Sequence, residues 1–405
     1  MAVQATGAGA VRSGAIRHPW NESVYVSNTA KGMGVLKVAL VHDSFTQWGG
    51  AERVAAVLHG MFREAPIYTL AVDRAVLPDE LASADFRPSF LQHLPGMPTL
   101  GAYQRYLPLL PLAAESLRPR GYDLVISSSS SFAHGADIPG ECHIAYIHNT
   151  MRFAWDYGEY VAGLRWPTLM KTVAGAGAPL LRAWDRRAGG RPGHLLANSS
   201  AVAQRIAMRW RRDAPVIPPP VDLRGITLGP EERSAHFCVV TRLIPYKRVD
   251  LAIAAANLGR EPLLVIGDGI DLPRLQALAG PTVTFAGRLP EAEKRSAVAE
   301  AIALIVPGIE DFGMAPVEAN AAGTPVVAVA GGGVLDSQVD GATAVLVHQQ
   351  TPEAVLAGMR RARELAWRRA AMREHAAGFG VPAFEARLLD ALRDALPAAV
   401  EFAFA

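Results

Sequence analysis

The chain has 405 residues, 50% hydrophobic and 19% charged, enough apolar material for two domains with substantial cores. A formal net charge of +2 provides no global field to draw a nucleic acid. Cys142 and Cys238 stand far apart in no C-x-x-C pattern, which argues against a disulfide framework or a structural zinc site and fits a reducing cytosol. The first residues are rich in Gly, Ala and Ser and lack the apolar core of a signal peptide, so residues 1–33 read as a disordered tail, with Met33 a candidate natural start. No apolar run approaches the ~18 residues of a membrane span.

The first strand is Val35–Val41, followed by His42-Asp43-Ser44-Phe45-Thr46-Gln47-Trp48-Gly49-Gly50-Ala51-Glu52 and a helix with Val54, Val57, Leu58 and Met61 on one face. A strand, a glycine pair and a helix start suit an anion-binding turn, and equally a simple tight turn. The motif is not G-x-G-x-x-G, which disfavours a nicotinamide dehydrogenase. Further strands are expected at 66–72, 123–128, 143–147 and 194–199. The apolar stretch Tyr103–Leu112, fringed by Arg105, Arg118 and Arg120, fits either a core helix or a membrane-surface contact. His148-Asn149-Thr150 ends the 143–147 strand, at the edge where doubly wound folds bind ligands, and the aromatic segment Met151–Tyr157 suits an acceptor pocket.

Between Arg165 and Arg212 basic residues far outnumber acids: Arg182, Arg186, Arg187, Arg191, Arg205, Arg209, Arg211 and Arg212 face only Asp185 and Asp213. That suits contact with anionic lipid or a diphosphate-bearing acceptor, or a solvated helix face. Pro218-Pro219-Pro220 makes Val216–Asp222 a stiff exit from a first domain, residues 34–222.

A second series of strand–helix units follows the polar stretch Glu231–Ser234 and fills residues 223–380. Strands at 237–241, 262–266 and 283–286 end in Arg242 to Lys247, Gly267-Asp268-Gly269 and Gly287-Arg288. An arginine fork and a lysine point charge match the needs of a diphosphate leaving group as its charge grows. The strand 303–306 leads into Pro307–Ala328, where Glu310 and Glu318 bracket Asp311-Phe312-Gly313-Met314-Ala315. Pro316 suits a helix's first turn, which would place Glu318 in that turn near the positive end of the dipole. The amides of Phe312 to Ala315 would then face an anion or a hydroxylated ligand, and the two acids could hold two parts of an extended polar molecule. An ordinary acidic helix start explains the same letters. Gly331-Gly332-Gly333, a strand at 344–347 and helices from Pro352 complete the series, and residues 381–405 read as a helix returning to the first domain.

Taken together, Gly49-Gly50-Ala51-Glu52, His148-Asn149-Thr150, Arg242 with Lys247, Gly267-Asp268-Gly269, and Glu310 with Glu318 around Phe312-Gly313 resemble the group 1 glycosyltransferases, glycosyltransferase family 4. The resemblance runs from about Val35 to Leu396 and is greatest toward bacterial O-antigen and exopolysaccharide mannosyltransferases. It implies an α/β GT-B fold, two Rossmann-like doubly wound domains flanking a cleft. It also implies a retaining, metal-independent transferase without a cofactor, the nucleotide sugar being a substrate, and it implies GDP-mannose as donor and a lipid-linked saccharide as acceptor. The place implied is the inner face of the cytoplasmic membrane, with peripheral contact to anionic lipid.

In such an enzyme Gly49 and Gly50 would approach the donor diphosphate, Arg242 and Lys247 would hold it, and Glu318 would bind the ribose. Glu310 would contact the transferred sugar with the amides of Phe312, Gly313, Met314 and Ala315. His148 would sit at the reacting carbon, and Gly267, Asp268, Gly269 and Arg288 near the base. No D-x-D motif calls for a metal; the basic pair takes that electrostatic role. Asp336 stands where the family often has glutamate. The alternatives are a UDP-sugar donor, a sugar-nucleotide 2-epimerase of the same fold, or a non-catalytic binding module.

Overall fold

The structure, a computed structural model, describes residues 24–28, 32–34, 36–140, 142–158, 168–231, 235–396 and 400–404. Most of the segment expected to be a tail therefore lies outside the described residues, as do Val35, Arg165 and most of the Glu231–Ser234 connector. The described parts of that segment are not irregular. β1 (Val24–Asn28) and β2 (Gly32–Gly34) pair antiparallel, and β1 also pairs with β15 (Val400–Phe404). The Val-Tyr-Val run of β1 has the β-branched and aromatic composition of a strand, a local signal that the surrounding Gly/Ala/Ser composition masked.

Among the described residues the body of the chain is two six-stranded, all-parallel sheets, one per lobe. The first runs β5 (Phe86–Pro88), β4 (Ile67–Thr69), β3 (Val38–His42), β6 (Leu124–Ser129), β7 (Cys142–Ile147), β8 (His194–Ala197). The second runs β11 (Val283–Gly287), β10 (Leu263–Ile266), β9 (Phe237–Val240), β12 (Leu304–Val306), β13 (Val326–Val329), β14 (Ala344–Val347). Every residue of β3, β6, β12 and β13 is buried, as parallel strands covered on both faces require, and this is why β12, β13 and the leading residues of β3 and β6 read as continuous apolar runs rather than alternating ones, while Ser127–Ser129 and His42 bring polar side chains to the carboxyl ends.

Both sheets reverse their winding at the same place, between β3 and β6 and between β9 and β12. Crossovers on the two sides of such a point leave to opposite faces and open a crevice at the carboxyl ends of the strands. The crevices of the two lobes receive His42-Asp43 and Ser128 from the first, and Arg242 and Glu310 from the second.

The chain crosses between lobes twice, and the crossings are stapled to each other. Val221 N–H donates to Phe379 O at 2.9 Å, and Val221 bridges Gly380. The helix Val381–Ala395 then lies on the first lobe, where Phe384, Leu388, Leu389 and Leu392 are buried with Leu58, Ile144 and Tyr146. The Phe384 ring meets Tyr146 edge-on at 5.7 Å. Burial of four large apolar side chains, each contributing roughly 1.5–3 kcal/mol, makes this helix part of the first lobe's core.

The apolar stretch at 103–112 is a core element. Leu110 is fully buried, and Tyr103, Tyr106, Leu107 and Leu109 pack against the same cluster, which leaves Leu112 outside. None of the described helices is long and apolar enough to cross a membrane.

Candidate active site

The first-lobe helix Gly50–Met61 begins against the second lobe. A Cβ added to Gly50 would lie 3.2 Å from Met314 Sδ, so the glycine turn touches the start of the second-lobe helix Met314–Ala321 directly. Gly49 caps the first-lobe helix in an extended conformation. Just before it, Gln47 Oε1 accepts from Arg242 Nη1 at 3.1 Å across the cleft. One turn into the helix, Arg53 reaches two second-lobe acids, Glu291 at 3.4 Å and Glu318 at 3.8 Å. The start of this helix is thus where Arg242, Met314 and Glu318 meet the first lobe.

Lys247 closes the short turn Pro245–Lys247 after β9, and its Nζ pairs with Glu310 Oε2. Burial opposes the Lys247 charge, but Glu310, with Tyr246 and Asp311, outweighs it and leaves the ammonium above its ordinary value. Backbone packing fixes this pair. A Cβ at Gly308 would be 2.7 Å from Lys247 O, and one at Gly332 would be 2.1 Å from Glu310 O. Gly333 N–H donates to Glu310 O at 2.9 Å. The glycine loop 331–333 is therefore the bed of the Glu310 loop.

Gly313, at φ +89, caps the Met314–Ala321 helix. That start puts Pro316 in the first turn but Glu318 in the second, contrary to the sequence expectation, so the helix dipole does little for Glu318. Its carboxylate is faced instead by Lys294 at 3.5 Å and Arg53 at 3.8 Å. Beside it a pocket is lined by Ile226, Val240, Lys294, Val298, Ala315 and Ala322. The Phe312 ring is buried against Phe379 at the lobe crossing, which leaves its amide, not its ring, for a ligand.

Gly267 and Gly269 support Arg242 from behind. Cβ atoms there would fall 1.9 Å from Thr241 O and 2.2 Å from Leu243 O, so only glycine lets this loop lie on the segment that carries Arg242. Asp268 Oδ1 accepts from the Gly269 amide at 2.7 Å, and Arg288 is exposed just past β11.

On the first lobe, His148 is buried with Nε2 2.8 Å from Ser128 Oγ. The Ser128 carbonyl accepts from His42 Nδ1 at 3.1 Å, which places the His42 proton on Nδ1 and frees the Ser128 hydroxyl to donate to His148 Nε2. Burial, reinforced by His42, brings His148 down to about 3 against a small opposing pull from Asp311, so the ring is neutral near pH 7. Asp43 holds the loop that follows the Ser128 strand. Its carboxylate accepts four backbone N–H groups, from Ser130, Ser131, Phe132 and Ala133, at 2.5–3.0 Å.

Sequence reasoning missed the partners. Gln47, Glu52 and Asn149 lay inside the quoted motifs without a role, and Arg53 and Lys294 carried no local signal. Glu52 is 6% exposed behind Gly49, and burial raises its carboxyl from 4.5 to about 7, with Arg242 and nearby hydrogen bonds only partly opposing the rise. Most arginines of the basic stretch are paired within the protein, though Arg186, Arg187, Arg191 and Arg211 remain exposed. Arg205 pairs with Asp311, Arg209 with Asp156, Arg187 and Arg191 with Glu115, while Arg182 and Arg212 donate to backbone carbonyls. Trp155, from the aromatic segment, lies under Arg182, Arg186 and Arg209 and donates to the buried Asp185.

Residues 227–379 match the family model for glycosyl transferases group 1. The chain is 32% identical over 175 residues to a GDP-mannose-dependent alpha-mannosyltransferase of Mycolicibacterium smegmatis, covering 38% of this chain and 44% of that protein. It is 32% identical over 243 residues to a D-inositol 3-phosphate glycosyltransferase of Geodermatophilus obscurus, covering 51% and 53%. The chain thus spans about half the length of the curated relatives it matches. Among solved structures, HepE of Anabaena in complex with UDP and glucose superposes with a TM-score of 0.64 at 17% identity, covering 88% of this chain and 99% of that one. Sucrose-phosphate synthase from Thermosynechococcus elongatus gives 0.64 at 17% identity, covering 89% and 98%. Over residues 227–379 the chain carries a group 1 glycosyltransferase domain, and its two lobes have the GT-B fold.

Proposed function

We propose that the chain is a retaining hexosyltransferase that moves mannose from GDP-mannose to a lipid-linked saccharide. The observation that carries the reading is the junction at Gly50. There a cation that reaches across the cleft, Arg242, stands with Glu318 and with a part-buried Lys247–Glu310 pair around the start of the Met314–Ala321 helix, Glu310 lying against its capping Gly313. The GDP-mannose-dependent relatives support the choice of donor.

The donor diphosphate lies between Gly50, Arg242 and Lys247, and Glu318 takes the ribose hydroxyls. To accept the phosphate, Lys247 gives up part of its pairing with Glu310, whose carboxylate turns to the sugar hydroxyls. The sugar C1–O bond to phosphate breaks, the electron pair leaves with the nucleoside diphosphate, and the two cations stabilise the growing charge. The acceptor oxygen attacks C1 from the same face and its proton passes to the leaving phosphate. Neutral His148 lies beside the reacting carbon as a polar contact and cannot carry a positive charge there. Because the basic pair supplies the electrostatics, turnover proceeds without a divalent metal.

We place the enzyme peripherally at a membrane. The exposed Leu180 and Met208, with exposed Arg186, support contact with anionic lipid, although fewer free arginines back it than the sequence suggested.

A panel of GDP- and UDP-sugars tests the reading, first by stabilisation on heating and then by nucleoside diphosphate release with and without a lipid-linked acceptor. GDP-mannose should stabilise most, and release should need acceptor. Turnover without acceptor points to a 2-epimerase, preference for a UDP-sugar overturns the donor assignment, and binding without turnover points to a binding module.

A further inference from the structure

Glu310 faces Lys247, but the next residue points across the cleft. Asp311 Oδ2 accepts from Asn149 Nδ2 at 3.0 Å, and Oδ1 accepts from Arg152 Nη2 at 2.6 Å and from Arg205 Nη1. All three donors belong to the first lobe. Arg205 also donates to Asn149 Oδ1 at 3.1 Å, and Arg152 lies over the ring of second-lobe Tyr246 at 4.6 Å. Burial disfavours the Asp311 charge, yet Arg152 and Arg205 outweigh it and hold the carboxyl below its ordinary value.

A second grip lies close by. Asp336 Oδ2 accepts from the Ser200 amide at 2.8 Å, and Oδ1 accepts from the Ser200 hydroxyl at 2.6 Å. Ser200 and Arg205 lie on one first-lobe helix, Ser200–Trp210. The two aspartates move as one body. A Cβ at Gly333 would be 2.2 Å from Asp311 O and 2.4 Å from Phe312 Cα, so the segments bearing them are packed backbone to backbone.

We propose that Asp311 is a positioning residue: it locks the Glu310 loop onto the Ser200–Trp210 helix and the Asn149 loop, and thereby sets the spacing between the His148 edge and the donor-side groups. Its effect on rate rests on the transferase reading; its effect on lobe closure does not. The Asp311 carboxylate hydrogen-bonds to first-lobe donors and makes no ion pair with Lys247, on which it acts only through a minor charge effect, so removing its charge should change donor binding little and spoil the alignment of acceptor with donor.

The experiment compares Asp311→Asn and Arg205→Gln with wild type in the full chain, by steady-state transfer and by small-angle X-ray scattering. Asp311→Asn should lower kcat by about 30-fold, the loss expected for one charge-assisted contact set, with donor KM within about threefold. Its radius of gyration should rise as the lobes part. Asp311→Glu should recover much of the rate. Because Asp311→Asn leaves Arg205 without its carboxylate, with only Asn149 Oδ1 still accepting from it, adding Arg205→Gln should cost little more. Should Asp311→Asn fail to fold, Arg205→Gln alone should move kcat and scattering the same way. Wild-type kcat and scattering in either variant overturn the proposal, as does a rise in donor KM at constant kcat, which would make Asp311 a donor contact. If wild type turns over no sugar nucleotide, the functional reading fails by itself, and unchanged scattering of Asp311→Asn would still overturn the lock.

Discussion

Replacing Glu52 with Gln should stabilise the protein progressively as pH rises from about 4.5 to about 7, and little further above that. Glu52 is buried behind the glycine turn, and burial raises its carboxyl from 4.5 to about 7. At 1.36 kcal/mol per pH unit, ionising it in the fold costs about 3 kcal/mol more than in the unfolded chain. For an acid with a raised folded value, the stabilising contribution is complete below about pH 4.5 and is lost as pH rises through about 7. About 2 of those 3 kcal/mol disappear between about pH 5.5 and about pH 8.5. Urea unfolding of wild type and Glu52→Gln across that range isolates this group, since the other titrations are common to both. The variant should gain about 2 kcal/mol on wild type from the acid to the alkaline end. A gap that does not change with pH would mean that Arg242 and the local amides neutralise the buried carboxylate fully, and the reasoning would be refuted. An anion bound at Gly50 should raise Glu52 further, so nucleoside diphosphate should bind with proton uptake near pH 7 and more weakly above it.

Arg242→Ala should lower kcat as well as donor affinity, because the charge it faces grows in the transition state; an effect on KM alone would contradict that role. Leu388→Ala in the Val381–Ala395 helix should destabilise by about 2–5 kcal/mol in denaturant melts, since Leu388 is fully buried in the first-lobe core; a loss under about 1 kcal/mol would show the helix to be loosely docked. EDTA should leave turnover unchanged, and restoration of lost activity by Mg²⁺ would reverse the electrostatic assignment. Sedimentation with vesicles should require anionic lipid and weaken with salt, and equal binding to neutral vesicles would remove the membrane argument.

Two doubly wound lobes were legible because parallel strands buried on both faces leave continuous apolar runs, as in Val38–Val41 and Leu304–Val306. The loops at their carboxyl ends were legible for the same reason: each follows such a run directly. What the letters did not carry is direction across the cleft. Arg205 is 106 positions from Asp311, and nothing local distinguishes it from the exposed Arg186 in the same basic stretch. Glu318 was misplaced by one turn because Gly313 at positive φ, not Pro316, sets the helix start. The first strand, Val24–Asn28, was lost in a segment whose average composition says tail, while its partner Val400–Phe404 lies at the other end of the chain.

The central claim is that Lys247 and Glu310, joined in the resting protein, separate to hold the phosphate and sugar of one donor. Nucleoside diphosphate release from GDP-mannose with a lipid-linked acceptor, measured for wild type, Lys247→Ala and Glu310→Ala at equal folded concentration, tests it most directly. Wild type should turn over and each variant should fall by at least about 100-fold, as expected when a part-buried charged contact to the transition state is removed. Equal release from all three proteins, or none from wild type, would contradict it.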